Sequence, residues 1–350
     1  MRLRRTAAAC LLLSLAPVLL AACGEETNDV DPGEAIPARY EDQFEDGKKV
    51  SVRLPLGNLL IRVGEPVTSV SREETRELRA LDAPEGGSFV PITWQYDSWS
   101  AGRFDPYVAT DEVPEVDLVS HGQEYRLPSP DREQRHGESF YAVVEGDASD
   151  LSMQVTFDGV TQSVDLRSGD RDAGQAAALY EVDDSELEQI PCDAEPWFDD
   201  QPDVTAQVAC TVIGPAVLPY AGGEWAEPGR EWVAVTVETH LRGYAIAIGA
   251  GALSGAQYGA AGVVSDIRLD GRRPTHVISG GAGDNGCPDP ETAACNYEEH
   301  LVFDVPEGEL GALTIEQTFD LRLGVRWGGF DPEERAEVTE TVEVPLAPRG

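Results

Sequence analysis

The five histidines are the side chains best suited to acid–base chemistry near neutral pH, and they are scattered singly: His121, His136, His240, His276 and His300. The chain contains neither His-Glu-x-x-His nor Gly-x-Ser-x-Gly, the motifs of zinc peptidases and of the commonest serine hydrolases. A Ser/His/Asp triad is assembled in space rather than in sequence, so the spacing of these residues along the chain neither shows nor excludes a triad. Without a motif, we expect no catalytic residue.

The thiol of Cys23 stands at the end of an N-terminal export signal. Arg2, Arg4 and Arg5 form a basic start, and residues 6–20 are apolar and uncharged. Leu20-Ala21-Ala22-Cys23 resembles the lipobox of bacterial lipoproteins, particularly actinobacterial ones. The resemblance implies cleavage before Cys23, acylation of its thiol, and a chain held on the outer side of the cell membrane by its lipid. The alternative is an ordinary signal peptide, 1–22, followed by an incidental cysteine.

Four further cysteines lie in the second half of the chain: Cys192, Cys210, Cys287 and Cys295. An even number in an exported chain indicates two disulfides, with three possible connectivities. We predict the pairs that are local in sequence, Cys192–Cys210 and Cys287–Cys295. The alternative is a zinc site, which is disfavoured because no Cys-x-x-Cys occurs. The nearest histidine ligand would be His300, which we expect at the surface.

A turn-rich segment at residues 283–291 brings three carboxylates close together in sequence: Asp284, Asp289 and Glu291. Clustered oxygen ligands suit calcium, although this is not an EF-hand loop. In so acidic a chain such clusters also arise freely, and a plain loop closed by Cys295 is the favoured interpretation.

The segment Gly243 to Val264 is rich in glycine and alanine and carries no charge. Its glycine spacing does not match the dinucleotide-binding fingerprint, and no βαβ unit surrounds it. We therefore predict a flexible or strand-forming insert between two strands, and no cofactor.

The formal net charge is −38, and removal of the basic signal makes it more negative still. Such a charge repels phosphate backbones, so we expect no nucleic acid as a partner. Its purpose could be cation binding, solubility or salt tolerance. Residues 23–48 are acidic and poor in apolar side chains, which predicts a disordered tether.

Strand patterns begin at Lys49 and continue through alternating apolar residues over 50–63 and 88–96. Pro91 points to an edge strand or a bulge. Two alternating runs flank Asp158-Gly159, which is a strong hairpin signature.

The second half repeats the order of patterns in the first half. Ala83–Trp94 matches Ala226–Val237, and residues 146–158 match 308–320 without a gap. Ordered matches of this kind predict two copies of one β-domain, at 49–168 and 208–347. Between them, residues 169–207 form a linker with a short helix, in which Trp197 and Phe198 are expected to pack against the linker or the second domain.

Strands of this length with frequent turn signals favour β-sandwiches. Glu231–Val237, together with His300–Gly308, resembles the telokin-like, immunoglobulin-type domains of Gram-positive lipoproteins, although Val143-Val144-Glu145 in the first copy departs from the Val-Pro-Glu of the second. The resemblance implies an all-β chain of two tandem immunoglobulin-like sandwiches, and no reaction.

The function expected from these features is recognition of an envelope protein, a glycan or a small ligand at the cell surface. Two alternatives stay open. One is an extracytoplasmic enzyme of an unrecognised family, which a Ser–His contact in a pocket would favour. The other is a passive spacer, which predicts rigid domain packing without a cleft.

Overall fold

A computed structural model describes residues 30–98, 102–132, 136–182, 187–193, 197–201, 203–249, 251–279 and 295–346. Within these ranges the regular secondary structure consists almost entirely of antiparallel strands, as the alternating sequence patterns predict. No helix in the described ranges combines the length and the apolar character needed to cross a bilayer.

In the described residues of the first half there are twelve strands, one helical turn and one 3-10 helix. The strands are β1 Ala35–Pro37, β2 Lys48–Leu54, β3 Gly57–Val63, β4 Ser69–Val70, β5 Leu81–Asp82, β6 Gly87–Asp97, β7 Glu115–Ser120, β8 Gln123–Arg126, β9 Glu138–Glu145, β10 Leu151–Phe157, β11 Val160–Asp165 and β12 Arg171–Asp172. The helical turn is α1, Asp105–Val108, and the 3-10 helix is Gly174–Tyr180, within the linker where a short helix was predicted.

Two five-stranded sheets face each other in this half, in the orders β1-β9-β6-β3-β2 and β12-β11-β10-β7-β8. Alternate side chains of both sheets enter one core cluster, for example Trp94 and Phe140 from the first sheet and Met153 and Val155 from the second. The predicted hairpin at Asp158-Gly159 is confirmed. Both turn residues have positive φ, as a tight two-residue connection between twisted strands requires.

The prediction of a disordered tether over residues 23–48 is wrong from Val30 onward. Strand β1 adds to the edge of β9, with Ile36 opposite Tyr141. Val30, Ala38 and Phe44 pack on the outer face of the first sheet, around Phe89 and Tyr141. The few apolar residues of this acidic segment are sufficient because they cover a sheet face that would otherwise be exposed.

Strand β6 is central in its sheet, so the prediction of an edge strand or bulge at Pro91 is also wrong. The carbonyl oxygen of Pro91 accepts a hydrogen bond from Gly64, on the side where β3 has already ended at Val63. Proline has no N–H to donate. At this position the pairing between β3 and β6 has already ended, so no hydrogen bond between the two strands is lost.

The second half is one eight-stranded sheet that folds over to make two layers. Its strands and the small hairpin beside them are β13 Gln189–Pro191, β14 Val204–Leu218, β15 Tyr220–Ala221, β16 Glu224–Trp225, β17 Arg230–Ile248, β18 Ser254–Leu269, β19 His276–Ser279, β20 Cys295–Pro306, β21 Ala312–Trp327 and β22 Arg335–Pro345. Most of β17 pairs with β14 and β20, whereas its last five residues pair with β18, which continues along β21. The uncharged segment from Gly243 thus forms strands.

The order of strand pairing recurs between the halves. Neighbours β3-β6-β9 correspond to β14-β17-β20, and neighbours β7-β10-β11 correspond to β18-β21-β22. The matched sequence blocks fall on corresponding strands, since Ala83–Trp94 leads into β6 and Ala226–Val237 leads into β17. The pairing order is what duplication of a β-unit predicts. The limits 49–168 and 208–347 stay predictions, as does the immunoglobulin-like class.

The predicted Cys192–Cys210 disulfide is present and ties the linker to β14. The segment held by this bond inserts Trp197 and Phe198 into the core of the second half. The indole N–H of Trp197 donates to the carbonyl oxygen of Cys192, at 3.0 Å, and the ring of Phe198 meets that of Tyr244 edge-on. The disulfide therefore holds one end of the segment whose two aromatic side chains fill the core between the layers of the second half.

We predict that replacing Cys192 and Cys210 together by serine lowers the free energy of unfolding by about 3 kcal/mol, because the bond closes a loop across a sequence separation of 18 residues. Urea denaturation of the variant and the parent under oxidising conditions measures the difference. A change below about 0.5 kcal/mol would show that the bond does not constrain the chain.

Candidate functional site

The two halves meet through a shared apolar core. The face of β14, β17 and β20 that points away from the second half's own core contributes Leu218, Trp232 and Val302 to the cluster that fills the first half. The indole N–H of Trp225 donates to the carbonyl oxygen of Phe157, at 3.2 Å. The ring of Tyr220 lies edge-on to that of Phe157, with centroids 5.5 Å apart. These contacts fix the second half on the turn between β10 and β11.

The helical turn α1 enters the junction from the first half. The carbonyl oxygens of Tyr107 and Val108 each accept a backbone hydrogen bond, from Gly222 and Gly223 respectively, at 2.8 Å. Both glycines have positive φ in the turn between β15 and β16, a conformation that a side chain would strain. Main-chain bonds thus reinforce the apolar contact.

An open groove lies beside α1, where both halves and the linker contribute walls. Its lining consists of Arg53, Leu54, Pro55, Gly57, Asn58, Phe104, Val108, Leu179, Val182, Leu218, Pro219 and Tyr220. Gly57, at the turn between β2 and β3, has a φ of +143° and lies against the carbonyl oxygen of Asp97. A Cβ would collide with that oxygen, so glycine allows the hairpin to pack this closely.

Hydrogen bonds around Arg53 hold the 3-10 helix against β2. The guanidinium of Arg53 donates to the carbonyl oxygen of Leu179, at 3.0 Å, and its backbone N–H donates to the hydroxyl of Tyr180, at 2.9 Å. That hydroxyl donates to Gln162, whose amide donates back to the carbonyl oxygen of Arg53. Burial raises the pKa of Tyr180, which keeps its hydroxyl protonated as the donor. The wall of the groove is thereby built in advance of any ligand.

A buried polar chain crosses the junction on the other side of α1. The hydroxyl of Tyr107 lies 2.8 Å from Oγ1 of Thr236, which lies 2.6 Å from Nδ1 of His300. Nε2 of His300 lies 3.7 Å from Oε1 of Glu298. Only 12% of the His300 side chain is exposed, so the prediction of a surface histidine is wrong. The reason is that His300 faces the first half, and the ring of Tyr107 covers it edge-on.

Burial lowers the pKa of His300, against the opposing influence of the nearby carboxylates Glu298 and Glu238. Burial likewise raises the pKa of Tyr107. The environment therefore favours an uncharged imidazole and an uncharged phenol on either side of the Thr236 hydroxyl.

A hydroxyl beside an imidazole and a carboxylate has the components of a nucleophilic triad. Thr236, however, is only 4% exposed, and its oxygen already contacts both Tyr107 and His300. This arrangement fits a structural link between the halves rather than attack on a substrate.

The other histidines lie on separate elements. Nε2 of His121 lies 3.1 Å from Oδ1 of Asp147, and Nε2 of His276 lies 3.0 Å from Oε1 of Glu224. Nδ1 of His240 lies 2.9 Å from Oδ1 of Asn296, and His136 is exposed just before β9. The pKa of Asp147 is lowered to about 2, first by hydrogen bonds from Ser149 and then by His121. None of these pairs reaches the groove lining.

The remaining predicted site residues fall partly outside the described ranges. Cys295 is disulfide-bonded, but its predicted partner Cys287 lies outside, so that pairing stays a prediction. The lipidation residue Cys23 and the calcium candidates Asp284, Asp289 and Glu291 also lie outside. Within the described ranges, no group of three or more His, Cys, Asp or Glu side chains is placed to hold a metal ion.

No protein-family model, curated protein or solved structure matches the chain.

We predict that His300 makes the stability of the fold depend on pH. A histidine whose pKa is lowered by folding binds its proton more readily in the unfolded chain. Its contribution is complete above pH 6.5, the ordinary value, and declines as the pH falls from there toward the lower folded value. The free energy of unfolding, measured by urea denaturation between pH 7.5 and 5.5, should therefore fall less steeply in His300→Gln.

The exposed His136→Gln is the matched control and should keep the parental slope. An unchanged slope in His300→Gln would contradict the burial of a neutral imidazole at the junction.

Proposed function

We propose that this chain is a membrane-anchored lipoprotein of the cell envelope that recognises a ligand through the groove between its two halves. Two features support the proposal. The first is Leu20-Ala21-Ala22-Cys23, whose small residues before a thiol suit lipid attachment. The second, which carries the binding function, is an open groove lined mostly by apolar side chains, whose wall is held in place by the hydrogen bonds around Arg53.

The lining favours a ligand with an apolar body. Most of its side chains are aliphatic or aromatic, with Asn58 and the phenol of Tyr220 as polar groups and Arg53 as the charged group. The Tyr220 hydroxyl itself donates to Asp158, at 3.2 Å, so its orientation is set by the protein. A glycan would need more hydrogen-bonding groups than such a surface offers. We therefore propose a small apolar ligand or the apolar side chains of an envelope protein.

The two alternatives fit this geometry less well. An enzyme acting in the groove would need a reactive side chain there, and the described lining contains no Ser, Cys, His, Asp or Glu. A passive spacer predicts fixed packing without a cleft, whereas here fixed packing accompanies a groove. We also propose that both halves are immunoglobulin-like sandwiches, which the recurring order of strand pairing supports.

The anchoring part of the proposal is tested by Cys23→Ala in the native cell. We expect the parent protein to incorporate labelled palmitate and to sediment with membranes, and the variant to lose the label. An unlabelled parent, or equal labelling of both proteins, would contradict lipidation at Cys23.

The binding part is tested by placing a photoreactive amino acid at Asn58, which lines the groove, and separately at Leu60, which is exposed on the same strand outside it. Irradiation of intact cells followed by mass spectrometry identifies what each position touches. We expect one abundant, reproducible adduct from position 58 and none from position 60. The absence of an adduct at 58, or the same adducts at both positions, would count against recognition in the groove.

A further inference from the structure

Strand β22 ends the large sheet of the second half, and in the described ranges it pairs with β21 alone. The pairing is continuous over all 11 residues of the strand, from Arg335 to Pro345. The other strands that end a sheet in the described ranges have two to seven residues. Proteins commonly protect such edges with bulges, prolines or lysines. Between Arg335 and Val344, β22 contains none of these, so it presents a long edge to a further strand.

The main-chain groups at this edge belong to the odd-numbered residues of β22. At the two ends of the ladder, the backbone N–H of Leu323 donates to the carbonyl oxygen of Glu334, at 2.9 Å, and that of Leu346 donates to Gly311, at 3.0 Å. Successive residues of a strand in an antiparallel ladder bond alternately to one side and to the other. The even-numbered residues of β22 therefore bond to β21. The odd-numbered residues direct their N–H and C=O groups away from β21, and their side chains are exposed: Arg335, Glu337, Thr339, Thr341 and Glu343.

We propose that a second copy of the chain pairs with this edge, with the two β22 strands antiparallel and Thr339 opposite Thr339 of the second copy. In this register Arg335 faces Glu343 of the second copy, and the same pair recurs at the other end of the contact because the arrangement is two-fold symmetric. Glu337 faces Thr341 of the second copy. Each odd-numbered residue exchanges two main-chain hydrogen bonds with the residue opposite, so the two sheets become one.

The charges on the exposed face favour this partner. Within one molecule Arg335 lies directly opposite Arg322 of β21. Like charges in opposite positions destabilise a sheet, and a carboxylate on the other side of Arg335 offsets that repulsion. Glu343 of a second copy supplies this carboxylate in the proposed register. A strand from another protein could use the same main-chain groups, but it would have to carry matching charges that the second copy already has.

The inward-facing side chains are also compatible. Ala336, Val338 and Val342 are half-buried at the border of the second half's core. The added strand extends this apolar stripe, since Ala336 faces Val342 of the second copy. Glu340 is the one charged residue of the stripe, and its carboxylate accepts a hydrogen bond from the backbone N–H of Phe198, at 3.3 Å. It faces Val338 of the second copy rather than another acidic side chain.

The sequence of β22 disfavours the neighbouring register. If the two-fold axis moved from Thr339 to Glu340, Glu340 would face its own counterpart. Glu337 would also face Glu343 of the second copy, so several carboxylates would be opposed. The charge pattern therefore selects pairing about Thr339.

The net charge of −38 does not prevent this contact. At physiological ionic strength, exposed charges more than about 8 Å apart are largely screened, so the charges on the contacting strands decide. None of the residues lining the groove lies on β22, so the inference does not rest on the proposed binding function.

The proposal is tested by sedimentation velocity of the chain from Gly24 onward, under non-reducing conditions at an ionic strength of about 0.15 M. This chain lacks Cys23, so the result does not depend on lipidation. The parent should form a dimer over a concentration series up to about 0.3 mM. Arg335→Glu and Glu343→Arg should each raise the dissociation constant of the dimer about tenfold, since each sets like charges opposite one another at both ends. The double variant should restore the parental value, because it exchanges the two partners of the same pair.

Two matched controls separate the register from general effects. Glu337→Arg changes the net charge as Glu343→Arg does, but it faces Thr341 of the second copy and should keep the dimer. Thr339→Pro removes an N–H at the free edge and should abolish the dimer. Thr339→Ala loses only the hydroxyl contact with Thr318 and should keep it.

A parent that stays monomeric throughout the series would overturn the proposal and leave the edge to a strand of another protein. A dimer that the single charge reversals do not weaken, or that the double variant does not restore, would also overturn it.

Discussion

The packing of Trp232, Leu218 and Tyr220 into the core of the first half is the contact on which the other features depend. Because these side chains leave the outer face of one sheet and enter the cluster of the other half, the two halves share a core instead of being separated by a free linker. That sharing gives the groove its walls, since Leu218 and Tyr220 line it from one half while Leu54 and Asn58 line it from the other. It also buries His300, which would be solvated on an isolated second half.

The molecule combines this apolar junction with a net charge of −38. Most of the acidic groups lie at the surface, where they keep the chain soluble and repel other anionic surfaces. Recognition is therefore expected where charge is sparse, as it is in the groove between the halves. The groove contains Arg53 as its charged side chain.

Local patterns were sufficient for much of the fold. The runs around Asp158-Gly159 predicted a hairpin because both the turn chemistry and the alternation are local, and the pair Cys192–Cys210 followed from proximity in sequence. Features made by long-range contacts were missed. Nothing in the spacing of Tyr107, Thr236 and His300 indicates that they meet, because three separate elements bring them together. The ordered segment from Val30 was missed for the same reason. Its few apolar side chains are buried only by contact with the outer face of the first sheet, which is distant in sequence.

The most direct test of a shared core is differential scanning calorimetry of the oxidised chain. If Trp232 and its neighbours join the halves into one body, both should unfold in a single transition whose calorimetric and van't Hoff enthalpies agree. Replacing Trp232 by alanine should then separate the transition into two, because the halves lose the contact that couples them. Two resolved transitions in the unsubstituted chain would contradict the account, since the halves would then be independent domains with no fixed groove between them.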